Sequence, residues 1–151
     1  MSNLFQVQIV RLKKIVNERG FLMEVQRADD PHFSGFGQAY ITQTLPGVVK
    51  AWYRHQIQTD QITIVSGQVY LVLVDSRHTS PTYREIQKII LTDQEPVLVQ
   101  IPAGVWHGFK AMGAQPACLL HINSEPFNAQ EPDEERLPAD TTYIDYSWDP
   151  E

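Results

Sequence analysis

One cysteine, Cys118, stands among 151 residues, so an intrachain disulfide and a cysteine-built metal site are both excluded. Positive charge is scarce as well. Twelve Lys and Arg against 18 Asp and Glu leave a formal charge of −6, which argues against a chain that grips nucleic acid through phosphates. No apolar run approaches the roughly 18 residues of a membrane-spanning helix, and the N-terminal MSNLFQVQIVRLKK interleaves charge where a secretory signal needs an unbroken apolar stretch. These absences give the expectation of a cytoplasmic protein with neither nucleic-acid nor membrane partners.

The charge that is present is unevenly placed. Up to Ser124 there are 11 basic and 9 acidic residues, a balance of +2; from Glu125 to Glu151 nine acidic residues face Arg136 alone, a balance of −8. Period-two alternation recurs at Phe5-Val7-Ile9, Ile62-Ile64, Val69-Leu71-Leu73, Val97-Val99-Ile101 and Leu119-His121. Gly, Pro, Asn, Asp and Ser clusters punctuate these runs, the pattern of short strands in an antiparallel sandwich or barrel. Helical potential is confined to short turns near Pro81 to Ile86 and Asp133 to Leu137. The expected organisation is an all-β domain over residues 1–125 and an acidic segment over 126–151. Phe127, Tyr143, Ile144, Tyr146 and Trp148 give that segment apolar surface to pack against the barrel or a neighbouring subunit.

Gly47 through Tyr53, His55 and Asp60 to Gly67 has the spacing of the first cupin motif, and Pro102-Ala-Gly104-Val-Trp-His107 resembles the second. Arg19-Gly-Phe21 with Glu24, then Gln38, Val74-Asp-Ser-Arg77, Ser80-Pro-Thr82 and Ile101 to Phe109 follow in the order of the dTDP-4-dehydrorhamnose 3,5-epimerase family. The resemblance implies a cupin jelly-roll β-barrel that forms a homodimer by exchanging strands, binds a dTDP-sugar in its mouth and needs no cofactor. It also implies chemistry in which a base removes a proton alpha to a ketone and a tyrosine reprotonates the other face. Arg19, Phe21, Glu24, Gln38, Lys50 and His107 fall where that family binds substrate.

Three departures from the family pattern concern catalysis. The family's catalytic histidine aligns with Tyr53, its acid tyrosine falls near Phe127, and its base-orienting carboxylate has no clear equivalent up to Glu151. His55, two residues beyond Tyr53, shares a strand face with it and with Ala51. A phenol and an imidazole side by side, with ordinary pKa values near 10 and 6.5, suit keto–enol chemistry. Tyr53 and His55 are therefore the candidate catalytic residues of an epimerase or ketoisomerase. Two alternatives stand beside it: a non-catalytic sugar-nucleotide-binding cupin, and a metal-dependent cupin with His55, Asp60 and His107 as ligands. Arg54, on the opposite strand face, is expected at the surface or an interface. Asp75 and Arg77 are expected to pair at a strand end, and His121 to face inward.

Overall fold

The computed structural model describes residues 2–149. Twelve strands follow one another: β1 (Gln8–Arg11), β2 (Lys14–Asn17), β3 (Gly20–Met23), β4 (Gln38–Thr44), β5 (Val49–Arg54), β6 (Asp60–Ser66), β7 (Gln68–Asp75), β8 (Ile86–Thr92), β9 (Val97–Ile101), β10 (Val105–Ala111), β11 (Ala117–Asn123) and β12 (Glu135–Arg136). They form two five-stranded antiparallel sheets, β1-β9-β6-β11-β4 and β12-β5-β10-β7-β8, with β2–β3 as a separate hairpin. This is the all-β cupin barrel, and no helix occurs among the described residues.

Alternation sorts the side chains of β7 into two apolar clusters. Val69, Leu71 and Leu73 point between the sheets and meet Ile62, Ile64, Val99, Ile101, Val105, Phe109 and Leu119. Val72 and Val74 point outward, yet they too are buried, because Trp52, Trp106 and Ile144 cover them with Leu137, Tyr146 and Trp148 alongside. A strand buried on both faces reads as the near-continuous apolar run Val-Tyr-Leu-Val-Leu-Val. The residues from Leu137 to Trp148 thus roof the outer wall. Leu137 exchanges both backbone hydrogen bonds with Trp52, and the Trp148 carbonyl accepts from Lys110 Nζ at 2.6 Å.

Four local expectations are corrected. Pro81–Ile86 is turns over 81–84 that lead into β8 at Ile86, because the Asp75 carboxylate gathers the Ser80 and Thr82 hydroxyls and the Arg77 guanidinium, and such side-chain bonds compete with a helix. Asp133–Leu137 contains β12, which pairs with β5 and fills a sheet edge that a helix would leave open. Phe5 lies in a turn and is exposed, so the first strand starts at Gln8. Arg54 is half-buried: its guanidinium lies 4.5 Å from the Trp106 ring centre, donates to Ser76 Oγ at 2.8 Å and pairs with Glu135.

Candidate active site

Inward alternation on four strands builds one cavity of about 200 Å³ between the sheets, at the end where β4 and β5 lie. β4 supplies Tyr40 and Thr42, β6 supplies Asp60 and Ile62, β10 supplies His107 and Phe109, and β11 supplies His121. On β5 the register against β10 slips by one residue: Tyr53 opposes His107 but Lys50 opposes Phe109. The slip turns Lys50 and Tyr53 into the cavity and leaves Ala51 against the outer cluster, which corrects the expectation that Ala51 shares the face of Tyr53 and His55. Gly108 sits at this irregularity, where a Cβ would lie 2.4 Å from that of Ala51. Only glycine leaves room for the crossing.

Asp60 is the centre of the cavity's polar cluster. Its Oδ2 lies 2.7 Å from His107 Nε2 and 3.2 Å from His55 Nε2, while Oδ1 accepts from the Gln58 amide at 2.5 Å. The other nitrogen of each ring also faces an oxygen: His107 Nδ1 lies 3.1 Å from the Val105 carbonyl, and His55 Nδ1 contacts the Asp133 carbonyl. Both rings are therefore oriented by an acceptor at each end.

The electrostatics follow from this packing. Burial opposes the charge on His55, but the hydrogen bond and negative charge of Asp60, with the Asp133 carbonyl and carboxylate, outweigh it and raise its pKa to about 9. Burial likewise opposes ionisation of Asp60, yet His107 and His55 hold the carboxyl well below the usual range. His121 moves the opposite way. Burial, with the positive charge of His107 and Lys50, outweighs the attraction of Asp60 and lowers it to about 4. Its Nε2 meets Thr42 Oγ1 at 2.8 Å, and its ring stacks on Tyr40 with centres 4.5 Å apart.

Tyr53 differs from its neighbours. Its ring lies 6.4 Å from that of His107 and 5.4 Å from the Arg136 guanidinium, and its hydroxyl has no hydrogen-bond partner among the described residues. A second cavity of about 290 Å³ adjoins the first, sharing Tyr40, His55, Glu134 and Arg136 as walls and adding Gln38, Phe127 and Asp133. Glu134 and Arg136 thus line both cavities, and the stretch before them, from Glu125 to Asp133, contributes to the wall of the second. The Asp133 carboxylate fastens this stretch by accepting the backbone N–H groups of Gln56, Ile57 and Gln58 at 2.8 to 2.9 Å.

Of the residues singled out from sequence, Lys50, Tyr53, His55, Asp60 and His107 share the first cavity and Gln38 lines the second. Arg19, Phe21 and Glu24 are not among the residues lining either. Arg19 is exposed at the β2–β3 turn, 4.0 Å from Glu18; Phe21 is exposed beneath Lys14; Glu24 lines a separate cavity and lies 3.5 Å from Arg27. The sequence reading did not anticipate Tyr40, Thr42, Gln58, Glu134, or Arg136, the one base of the acidic segment. The clearest available signal was that Asp60 shares the inward alternation of Ile62 and Ile64.

A two-sheet barrel enclosing histidines, a tyrosine and a buried carboxylate defines an enzyme of the cupin class. The profile of the dTDP-4-dehydrorhamnose 3,5-epimerase family matches residues 2–151, and the chain belongs to that family. It is 35% identical to a probable low-salt glycan biosynthesis epimerase of Haloferax volcanii, over 100% of this chain and 98% of that protein. It is 34% identical to a spore coat polysaccharide biosynthesis protein of Bacillus subtilis, over 96% of each. The crystal structure of a dTDP sugar isomerase from Desulfovibrio desulfuricans superposes with a TM-score of 0.91 at 34% identity, covering 96% of this chain and 92% of that one.

Proposed function

We propose that the protein is an epimerase or ketoisomerase acting on a nucleotide-linked 4-keto-6-deoxyhexose, with a dTDP-sugar as the substrate class. Membership of the epimerase family and the likeness to a dTDP sugar isomerase support the class. The observation that carries the chemistry is the convergence of Tyr53, His55 and His107 on one cavity around Asp60.

His55 is the base. Once the Nε2 proton that faces Asp60 has passed to water, His55 Nε2 takes a proton from the carbon alpha to the ketone, and the C–H electron pair moves toward the ketone oxygen to form the enolate. Tyr53, whose hydroxyl has no hydrogen-bond partner among the described residues, donates to that oxygen or returns a proton to carbon. Lys50 contributes positive charge at the cavity, held at 2.7 Å from the Gln43 carbonyl. Arg19, Phe21 and Glu24 act across a homodimer, where the exposed β2–β3 hairpin, with Ile15, Val16 and Leu22 also exposed, reaches the partner's nucleotide. The half-buried thiol of Cys118 suits the cytoplasm, where nucleotide sugars are made.

The test is hydrogen exchange. With dTDP-4-keto-6-deoxyglucose in heavy water, deuterium enters ring carbon 3 or 5 and the signal disappears in His55→Gln. A protein that binds the sugar nucleotide without exchange is a binding cupin instead.

A further inference from the structure

We infer that His121 is the hydrogen-bond donor to the substrate's ketone oxygen, presenting a proton on Nδ1 to the developing enolate and leaving Tyr53 to return a proton to carbon. The assignment rests on the keto-sugar reading above and fills a role which that reading leaves open.

Three observations carry it. The first is which polar groups of the cavity are already engaged. His55 and His107 both turn Nε2 to Asp60, and Lys50 Nζ is held by the Gln43 carbonyl. Arg136 is paired with Glu134 and largely exposed, which places its charge at the rim. The Tyr53 hydroxyl and His121 Nδ1 have no hydrogen-bond partner among the described residues, and both side chains line the cavity.

The second is the tautomer. The Thr42 hydroxyl lies 2.8 Å from His121 Nε2 and has no other partner among the described residues. A hydroxyl proton needs an acceptor, and the Nε2 lone pair supplies it, so the ring proton sits on Nδ1. The opposite tautomer would leave the Thr42 proton unused and set a lone pair before the substrate.

The third is the ring's rigidity and charge. It is buried and stacked on Tyr40 with centres 4.5 Å apart, so the donor is aimed before substrate arrives. Burial, with His107 of β10 and Lys50 of β5, outweighs the attraction of Asp60 of β6 and holds the pKa at about 4, so the imidazole is neutral near pH 7. A neutral imidazole N–H can bond a developing enolate without surrendering its proton, whereas a phenol with an ordinary pKa near 10 can give its proton up. The two unengaged groups thereby divide the work. When Tyr53 acts, its O–H bond breaks as the C–H bond forms, the electron pair on oxygen restores the carbonyl, and water reprotonates the phenolate.

The full chain is tested in three ways. Proton–nitrogen correlation NMR of the His121 ring at neutral pH should show an uncharged imidazole protonated on Nδ1; a proton on Nε2 overturns the assignment. Infrared difference spectra of bound dTDP-4-keto-6-deoxyglucose, isotope-labelled at the ketone carbon, should show a carbonyl stretch lowered from its value in water. That lowering should vanish in His121→Phe and persist in Tyr53→Phe; the reverse pattern gives the oxygen to Tyr53 and overturns His121. Deuterium exchange beside the ketone should slow about 10²- to 10³-fold in His121→Phe with KM little changed, and His121→Gln, whose amide can donate, should recover part of the rate. Should His121→Phe fail to fold, Thr42→Val removes the hydroxyl that sets the tautomer and should slow exchange by about tenfold or more, with Thr42→Ser restoring it. A rate within about twofold of wild type in His121→Phe, or in Thr42→Val where only that variant folds, overturns the donor. Wild-type exchange with an unlowered carbonyl stretch overturns His121 alone, whereas no exchange in the wild type overturns the epimerase reading and the donor with it.

Discussion

Asp60 Oδ2 and His107 Nε2 lie 2.7 Å apart inside the barrel, each almost inaccessible, and the same oxygen also meets His55. One carboxylate thus orients two imidazoles. Asp60→Asn preserves shape but removes the charge both rings face. Breaking a buried ion pair by changing one partner costs about 3 to 5 kcal/mol, so the midpoint of chemical denaturation should fall markedly. Asp60 is a main cause of the rise of the His55 pKa to about 9, so in Asp60→Asn the NMR titration midpoint of His55 should fall toward the ordinary value near 6.5. A His55 pKa unchanged in Asp60→Asn would assign the upward shift to Asp133 instead.

Tyr53→Phe separates chemistry from stability. The phenol has no hydrogen-bond partner among the described residues, so its removal should shift the melting temperature little. As the proton donor it should account for about 10²- to 10⁴-fold of the exchange rate. Stopped-flow or NMR measurement of deuterium uptake decides; a rate within twofold of wild type removes Tyr53 from the mechanism.

Acid should weaken the fold through His121. Its folded pKa of about 4 lies below the unfolded value near 6.5, so the unfolded chain binds more protons between these values. The contribution is complete above about pH 6.5 and is lost progressively as pH falls toward 4. A shift of this size corresponds to on the order of 3 kcal/mol. Urea titrations across that range should show the loss, and His121→Phe should flatten it.

Asp75 predicts a second acid-labile point at lower pH. Burial opposes its charge, but Arg77, Ser80 and Thr82 overcome this and lower it to about 2. Its stabilisation is present above the unfolded value near 3.8 and lost as pH falls toward 2. Asp75→Asn should loosen the turns from Ser76 to Glu85, seen as faster amide exchange there, and destabilise by about 2 kcal/mol through groups left without their acceptor.

Ile144 pins the acidic segment to the outer wall at 4% exposure, beside Trp52 and Trp106. Ile144→Ala should destabilise by about 2 to 4 kcal/mol, read from denaturant midpoints. A change below about 0.5 kcal/mol would mean that Tyr146 and Trp148 hold the segment unaided.

The strands were legible where alternation is clean, as in β7, β9 and β11, because period two is a local property of the chain. Turns and edges were less so. Asp75 competes with the helix that Pro81–Ile86 resembles, and β12 is a strand only because β5 offers it an edge; neither partner is adjacent in sequence. For the site, the two cupin-like motifs led to Tyr53, His55, Asp60 and His107, but not to Asp60 as the acceptor that His55 and His107 share. The register slip that admits Lys50 and displaces Ala51 depends on Gly108 from another strand. Tyr40 of β4, Arg136 of β12 and Glu134 just before β12 enter the cavity from segments that only the closed barrel brings near.

The roof formed by Leu137 to Trp148 has a bearing on how the chain is made. The strand faces these residues cover, on Trp52, Val72, Val74 and Trp106, precede them in the chain and emerge from the ribosome before them. A nascent chain can close the inner core first and must carry this outer apolar surface uncovered until Leu137 to Trp148 have been made. The stretch that contributes to both cavities immediately precedes the roof, so the cavity walls and the protection of the outer wall are completed almost together. A chain cut before Leu137 would keep the inner core but bare this outer apolar flank, a natural target for chaperone capture.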